Sequence, residues 1–304
     1  MSVLYFFESI RTTLLDQLFT ALTFFGEEIL ILTVICLLYW CLDKRLAYQL
    51  CFTYFLAGLG AQCLKVLCRI PRPWVLHTDF QPVDTAIPTA TGYSFPSGHT
   101  QGATALYGTL GLAKWQTHAS HRRLFLLGGL LLPALVGISR MYLGVHTPQD
   151  VITGYLLSLA VALPVSWYFA KRPKKDTASL SLAALLFFFS ALVSIVAVYL
   201  IHTGVTNAVL ASDCCKAGAA GMAFAVGWFV EKNYIRFPTT GPLAFQAAKL
   251  LLGAAGALLI KSGGKVLLGE GIPADMLRYF LLVIWVMILY PILIKAADKR
   301  MRKK

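Results

Sequence analysis

Residues 179–201 (SLSLAALLFFFSALVSIVAVYLI) carry no charged side chain. A helix needs about 20 consecutive apolar residues to cross a bilayer, and this stretch supplies them. Comparable runs lie at roughly 21–42, 47–67, 98–116, 123–140, 150–170, 207–230, 244–268 and 277–297. The whole chain is 58% hydrophobic and only 13% charged, with a mean hydropathy of +0.69. Soluble domains hold about a quarter charged residues, so an ordinary soluble globule is excluded. The fold expected is all-α: a polytopic membrane helical bundle of about nine transmembrane helices. Residues 3–18 contain Glu8, Arg11 and Asp16 and lack the apolar core and cleavage site of a secretory signal. They read as an interfacial helix with Phe6, Phe7, Leu14 and Leu15 toward lipid; the plainer alternative is a frayed polar terminus.

Positive charge is retained on the cytoplasmic side of a membrane. One set of alternate connections collects Lys44 and Arg45; Lys114, Arg122 and Arg123; Lys171, Arg172, Lys174 and Lys175; Lys232 and Arg236; and six basic residues from Lys295 onward. That is 17 of the 27, which places the N-terminus outside and the C-terminus inside. The net charge of +13 is thereby assigned to inner loops facing anionic lipid, and nucleic acid is not an expected partner. The seven cysteines have no zinc-type or redox spacing.

Three polar blocks interrupt the apolar pattern: Lys65-x6-Arg72-Pro73, Pro96-Ser97-Gly98-His99, and Ser139-Arg140-x5-His146-x3-Asp150. The same topology puts all three at one face, away from the cytoplasm. Ser97 follows a polar loop and precedes an apolar run, the place of a helix N-cap. A helix starting there aims free N–H groups at an anion, and Gly98 leaves the backbone open to it. Thr147 can cap a second helix beginning at Pro148. Asp150 in its first turn has two readings: favouring the helix dipole, or accepting the His146 N–H and so fixing the tautomer. Lys65 and Arg72 flank a short segment, Val66 to Pro71, that leaves the membrane, where snorkelling to the headgroup layer is the plain alternative, and Arg140 is fixed at a span end. Arg72 is stiffened by Pro71 and Pro73. Of the other histidines, His77 reads as a solvated loop residue, His118 and His121 sit with the inner cations, and His202 has no visible partner.

Together the blocks resemble the three signature motifs of the type 2 phosphatidic acid phosphatase superfamily, over roughly residues 20 to 170. The resemblance implies a membrane hydrolase that needs no metal or other cofactor. Lys65, Arg72, Ser97, Gly98 and Arg140 would bind the phosphate; His146 would attack phosphorus to form a phosphohistidine, Asp150 would orient it, and His99 would protonate the leaving group. Substrates implied are undecaprenyl pyrophosphate, phosphatidylglycerol phosphate or phosphatidic acid, held at the outer face of a cell membrane of bacterial type. A lipid phosphotransferase with the same site is the alternative, and a lipid-binding or transport protein a more distant one. Residues 1–175 form the expected membrane core and 176–304 a four-helix extension not covered by the motifs, suited to packing on the core or to a homodimer.

Overall fold

The computed structural model describes residues 1–117, 120–173 and 177–302. His118, Lys174, Lys175, Lys303 and Lys304, and the expected boundary at 175/176, lie outside them. All regular structure among the described residues is helical: α1 (Ser2–Ser9), α2 (Thr13–Thr23), α3 (Glu28–Leu37), α4 (Lys44–Cys68), α5 (Pro73–Leu76), α6 (Gly98–Ala103), α7 (Thr109–Gln116), α8 (Arg122–Tyr142), α9 (Pro148–Lys171), α10 (Leu180–His202), α11 (Ala208–Val230), α12 (Leu243–Leu268), α13 (Ile272–Ile284) and α14 (Tyr290–Met301). Among these residues seven helices are long and apolar enough to cross a membrane, or eight if Thr13–Gly26 and Glu28–Leu42, bent by 43°, make one span.

Residues 98–116 account for the difference from nine. They are helical in three pieces, α6, a π-helical turn over Thr104–Gly108, and α7. Buried Thr100, Gln101, Gly102, Thr104, Gly108 and Thr109 make this stretch too polar to rank with the other spans. A helix enclosed by protein can carry hydroxyls that bond backward, as Thr104 does to the Thr100 carbonyl at 2.7 Å. Glycine permits the enclosure: a Cβ on Gly129 of α8 would lie 2.5 Å from the Tyr107 carbonyl oxygen.

The chain divides into two compact units, Met1–Thr33 with Gln49–Lys171, and Val34–Tyr48 with Arg172–Lys304. In the first, the expected helix over 3–18 is broken, because Thr12 caps α2 by accepting from Leu15 N–H at 3.3 Å. Phe6 and Leu14 are exposed as expected. Phe7 and Leu15 instead pack inward, with Phe19 and Trp74, on Ala86, Tyr142, Leu143 and Val145. Phe19 stacks on Tyr142 with centroids 4.1 Å apart, and the Tyr142 hydroxyl donates to Asp16 Oδ1 at 2.8 Å. These contacts clamp α2 to the end of α8.

In the second unit a π-helical turn, Leu38–Leu42, buries Tyr39, Trp40 and Cys41. Trp40 donates to the Val286 carbonyl and Tyr39 to that of Met287, both at 3.2 Å. Lys44 reaches Glu231 Oε1 at 2.7 Å, with Glu231 itself buried. Lys249 of α12 is 1% exposed; its ammonium donates to the Trp40, Pro238, Thr239 and Thr240 carbonyls. A buried charge needs such a ring of acceptors. Gly253 of α12 permits the close contact, since a Cβ there would lie 2.6 Å from the Trp40 ring.

Candidate active site

All eight residues singled out in the three blocks lie in the first unit. Lys65, in the last turn of α4, donates to the Tyr93 carbonyl at 2.5 Å. Arg72 precedes α5, whose first residue is Pro73. Its Nε donates to the Gly92 carbonyl at 3.2 Å and its Nη2 to that of Thr91 at 2.6 Å. Loop 91–93 therefore fixes both first-block cations through its carbonyls. From this seat Arg72 Nη1 donates to the Val145 carbonyl at 3.0 Å and meets His146 Nε2 at 2.9 Å.

A guanidinium can only donate, so His146 Nε2 is the acceptor and Nδ1 carries the proton. That proton faces Asp150 Oδ2 at 3.3 Å. The same oxygen accepts from Ser94 Oγ at 2.6 Å and from Thr147 N–H at 2.8 Å. Thr147 Oγ1 in turn accepts from Asp150 N–H at 3.4 Å, a reciprocal cap at the start of α9. Of the two readings left open for Asp150, the contact with imidazole is thus realised, with the helix-end position kept as well. Burial, with the positive charges of Arg72, Arg140, Lys65 and His99, holds the His146 imidazole well below its usual value of 6.5. One electrostatic cluster therefore draws on all three blocks.

Ser97 is fully buried and caps α6, accepting from Thr100 N–H at 3.4 Å and from the Thr100 hydroxyl at 3.0 Å. Its own N–H donates to the Asp150 carbonyl at 2.9 Å, tying the second block to the third. The Phe95–Pro96 peptide is cis. A Cβ on Gly98 would meet nothing within 4 Å, so packing does not demand a glycine there. The opposite holds at Gly154 of α9, where a Cβ would fall 2.7 Å from the Ser97 carbonyl oxygen.

Arg140 is completely buried near the end of α8. Its Nη1 donates to Thr23 Oγ1 at 3.1 Å, while Nε and Nη2 have no partner. Unpaired buried donors are costly, and a guanidinium with two of them suits an anion bound between.

His99 is held by a residue outside the blocks. Its Nε2 lies 3.1 Å from Glu27 Oε1, at the bend between α2 and α3. The approach depends on Gly26, where a Cβ would fall 2.9 Å from the His99 carbonyl oxygen. Glu27, Ser94 and Thr23 thus complete the site without having been singled out by spacing. Adjacent acidic residues, Glu27 and Glu28, inside an apolar run were the available signal for the first. Ser94 and Thr23 offered none.

A chamber of about 150 Å³ lined by Arg140, Glu27, Thr23 and Thr89 lies beside these groups. The arrangement offers a neutral imidazole, a second imidazole paired with a carboxylate, and three cations. That set matches the needs of phosphoryl transfer, in which charge spreads over the equatorial oxygens.

A family model described as the PAP2 superfamily matches residues 46–174, and one described as PAP2 superfamily phosphatase, transmembrane extension, matches residues 215–301. Phosphatidylglycerophosphatase B of Bacillus subtilis (strain 168) is 33% identical over 100 residues, 31% of this chain and 47% of that protein. Undecaprenyl-diphosphatase BcrC of the same organism is 36% identical over 115 residues, 38% of this chain and 51% of that one. Mouse sphingosine-1-phosphate phosphatase 2 is 28% identical over 134 residues, 44% and 36% of the two chains. The matches thus span about half or less of each relative. A crystal structure of a transmembrane PAP2-type phosphatidylglycerolphosphate phosphatase from Bacillus subtilis aligns with a TM-score of 0.48 and 25% identity, covering 57% of this chain and 85% of that one. The extension that the three blocks left unassigned has its own family model. With both models matched in order along its sequence, the chain belongs to the PAP2 superfamily and carries that superfamily's transmembrane extension.

Proposed function

We propose that this protein is an integral membrane phosphatase that removes the terminal phosphate of a lipid phosphate or pyrophosphate at the extracytoplasmic face. The observation that carries the reading is the tautomer of His146: Nδ1 faces Asp150 and Nε2 keeps its lone pair, directed at Arg72. A phosphoryl group held by Arg72, Lys65, Arg140 and the Ser97–Gly98 turn would meet that lone pair. His146 Nε2 forms a bond to phosphorus as the bond to the leaving oxygen breaks, and His99 gives that oxygen its proton. Asp150 stabilises the imidazolium formed. Water then attacks the phosphohistidine with His99 taking its proton, and inorganic phosphate leaves with His146 neutral again. Fixed cations take the role of charge neutralisation, so no metal or other cofactor is assigned.

The test is phosphate release by purified full-length protein from lipid phosphates and pyrophosphates in detergent, with and without a lipid acceptor alcohol. Release without acceptor, lost in His146→Ala, supports a hydrolase. Turnover only with acceptor would make it a phosphotransferase, and near-normal turnover of His146→Ala would remove the covalent route.

A further inference from the structure

The second unit carries a polar cluster of its own. Where α11 and α13 begin, Ser212, Asp213 and Lys216 of α11 meet Asp275 and Arg278 of α13. Lys216 Nζ lies 3.3 Å from Asp213 Oδ1 and 3.8 Å from Asp275 Oδ2. Asp275 Oδ2 also accepts from Ser212 Oγ at 3.3 Å, and its Oδ1 accepts from Arg278 Nη2. Both helices belong to segments long and apolar enough to cross a membrane. At the α-helical rise, Lys216 and Arg278 lie about 12 Å and about 9 Å past the helix starts at Ala208 and Ile272, inside the apolar segments. Ionisable groups at such depth are expensive and mark binding sites more often than scaffolding.

Arg278 is 8% exposed, yet its Nε and Nη1 have no partner among the described residues. Gly264 of α12 gives its stem room, since a Cβ there would lie 3.3 Å from Arg278 Cγ and Cδ. Guanidinium donors left unmet in an apolar slab carry a larger penalty than they would in water. Both carboxylates of the cluster are already engaged, and its buried side-chain atoms without a partner are these two donors. What the cluster lacks is an acceptor. Lys216 and Asp213 keep 22% and 39% of their side chains exposed, so the cluster is open beside α11 and closed at Arg278.

We propose that this cluster binds the phosphodiester of a membrane lipid headgroup, as a site additional to the phosphatase centre and independent of that reading. Arg278 offers Nε and Nη1 to phosphate oxygens, and Lys216 adds a point charge. Charge sets the class of ligand. The two cations and two carboxylates cancel, and the nearby Lys265–Glu270 pair at 3.0 Å adds no net charge. A neutral cluster tolerates one negative charge better than two, which favours a phosphodiester over a phosphomonoester. Depth sets the source: an oxyanion carried on acyl chains reaches donors inside an apolar segment, whereas a free ion would have to shed its water first.

The experiment titrates purified full-length protein in detergent with phosphatidylglycerol and reads the affinity of the first bound lipid by native mass spectrometry. Diacylglycerol with the same chains probes the tails alone, and inorganic phosphate, added as a competitor, probes the ion alone. Phosphatidylglycerol should bind about tenfold or more tighter than diacylglycerol, and inorganic phosphate should not displace it. Arg278→Met and Lys216→Gln should each weaken its binding by about tenfold, the scale of one charge-assisted hydrogen bond. Arg300→Gln, which removes an exposed charge at the far end of α14, should leave it unchanged. If Arg278→Met does not fold, Lys216→Gln carries the test, because its side chain is partly exposed. Affinity unchanged in the Arg278 and Lys216 variants, or weakened as much by Arg300→Gln, overturns the proposal. Equal binding of diacylglycerol overturns it in favour of a groove for tails, and displacement by inorganic phosphate in favour of a small-ion site.

Discussion

Arg72 Nη1 sits 2.9 Å from His146 Nε2, so the guanidinium suited to hold a phosphate also covers the lone pair that would attack it. The attack therefore needs Arg72 to pass that donor to a phosphoryl oxygen. On the proposed mechanism, substrate binding would release the imidazole in the same event. Arg72→Lys keeps the charge and loses the planar fork, along with the bonds to Thr91 and Gly92 that aim it. We expect kcat to fall by about 100-fold, the scale of losing one transition-state donor, with a smaller change in KM. A raised KM with kcat unchanged would point to ground-state binding alone.

The environment of His146 sets the pH behaviour. Its value lies well below 6.5, through burial first and the surrounding cations second. Asp150 works against this from 3.3 Å. A lowered value means that the neutral, attacking form persists as pH falls. The rising limb of kcat/KM should therefore lie below pH 6.5 rather than at it. The unfolded chain takes up a proton at 6.5 and the folded one does not, so stability should also decline below that pH. His146→Gln should weaken this decline in thermal melts between pH 6.5 and 5.

Glu27 offers a test of the acid. Glu27→Gln keeps the size of the side chain and removes its charge from His99. If His99 protonates the leaving oxygen, the loss should depend on how much help that oxygen needs. We expect kcat to fall by about 100-fold with alkyl phosphates, the low end of general acid catalysis, and much less with p-nitrophenyl phosphate. A uniform loss across leaving groups would assign Glu27 to folding.

Gly154→Ala would press a Cβ to 2.7 Å from the Ser97 carbonyl. Backbone cannot swing aside as a side chain can. A destabilisation of about 1–3 kcal/mol is expected, the usual cost of overpacking, read as a drop in melting temperature. Activity should fall further than stability, because Ser97 moves with the strain. Gly128→Ala, where a Cβ meets nothing within 4 Å, is the matched control in α8.

Chelation tests the assignment of charge neutralisation to Lys65, Arg72 and Arg140. Phosphate release should be unchanged after dialysis against EDTA, and addition of magnesium should not raise it. Loss of activity restored by one divalent cation would overturn the metal-free reading.

Much of this site was legible in the chain because its chemistry stands out against an apolar background. His146 and Asp150 are four residues apart, and one helix start brings them together. Ser97 and Thr147 cap where their neighbours implied. Glu27 was hidden for a physical reason: its partner His99 is 72 positions away, and the bend that aims it falls inside a run long enough to read as one span. The same averaging over windows made residues 98–116 look like an ordinary span, although their threonines and glycines fit a helix wrapped by protein. Phe7 and Leu15 were misplaced because an apolar side chain on a surface helix reads alike whether it meets lipid or Tyr142.

The second unit is assembled from two separated stretches of chain, Val34–Tyr48 and everything from Arg172 onward. Tyr39, Trp40 and Lys44, encoded early, find their partners at Met287, Val286 and Glu231, encoded late. A gene cut after Lys171 would leave the Trp40 indole and the Lys44 ammonium without these partners. The extension is thus no detachable appendix. During synthesis more than two hundred residues must emerge after Trp40 before the Val286 carbonyl that it meets, so supplying the late half as a separate polypeptide should rescue a truncated one.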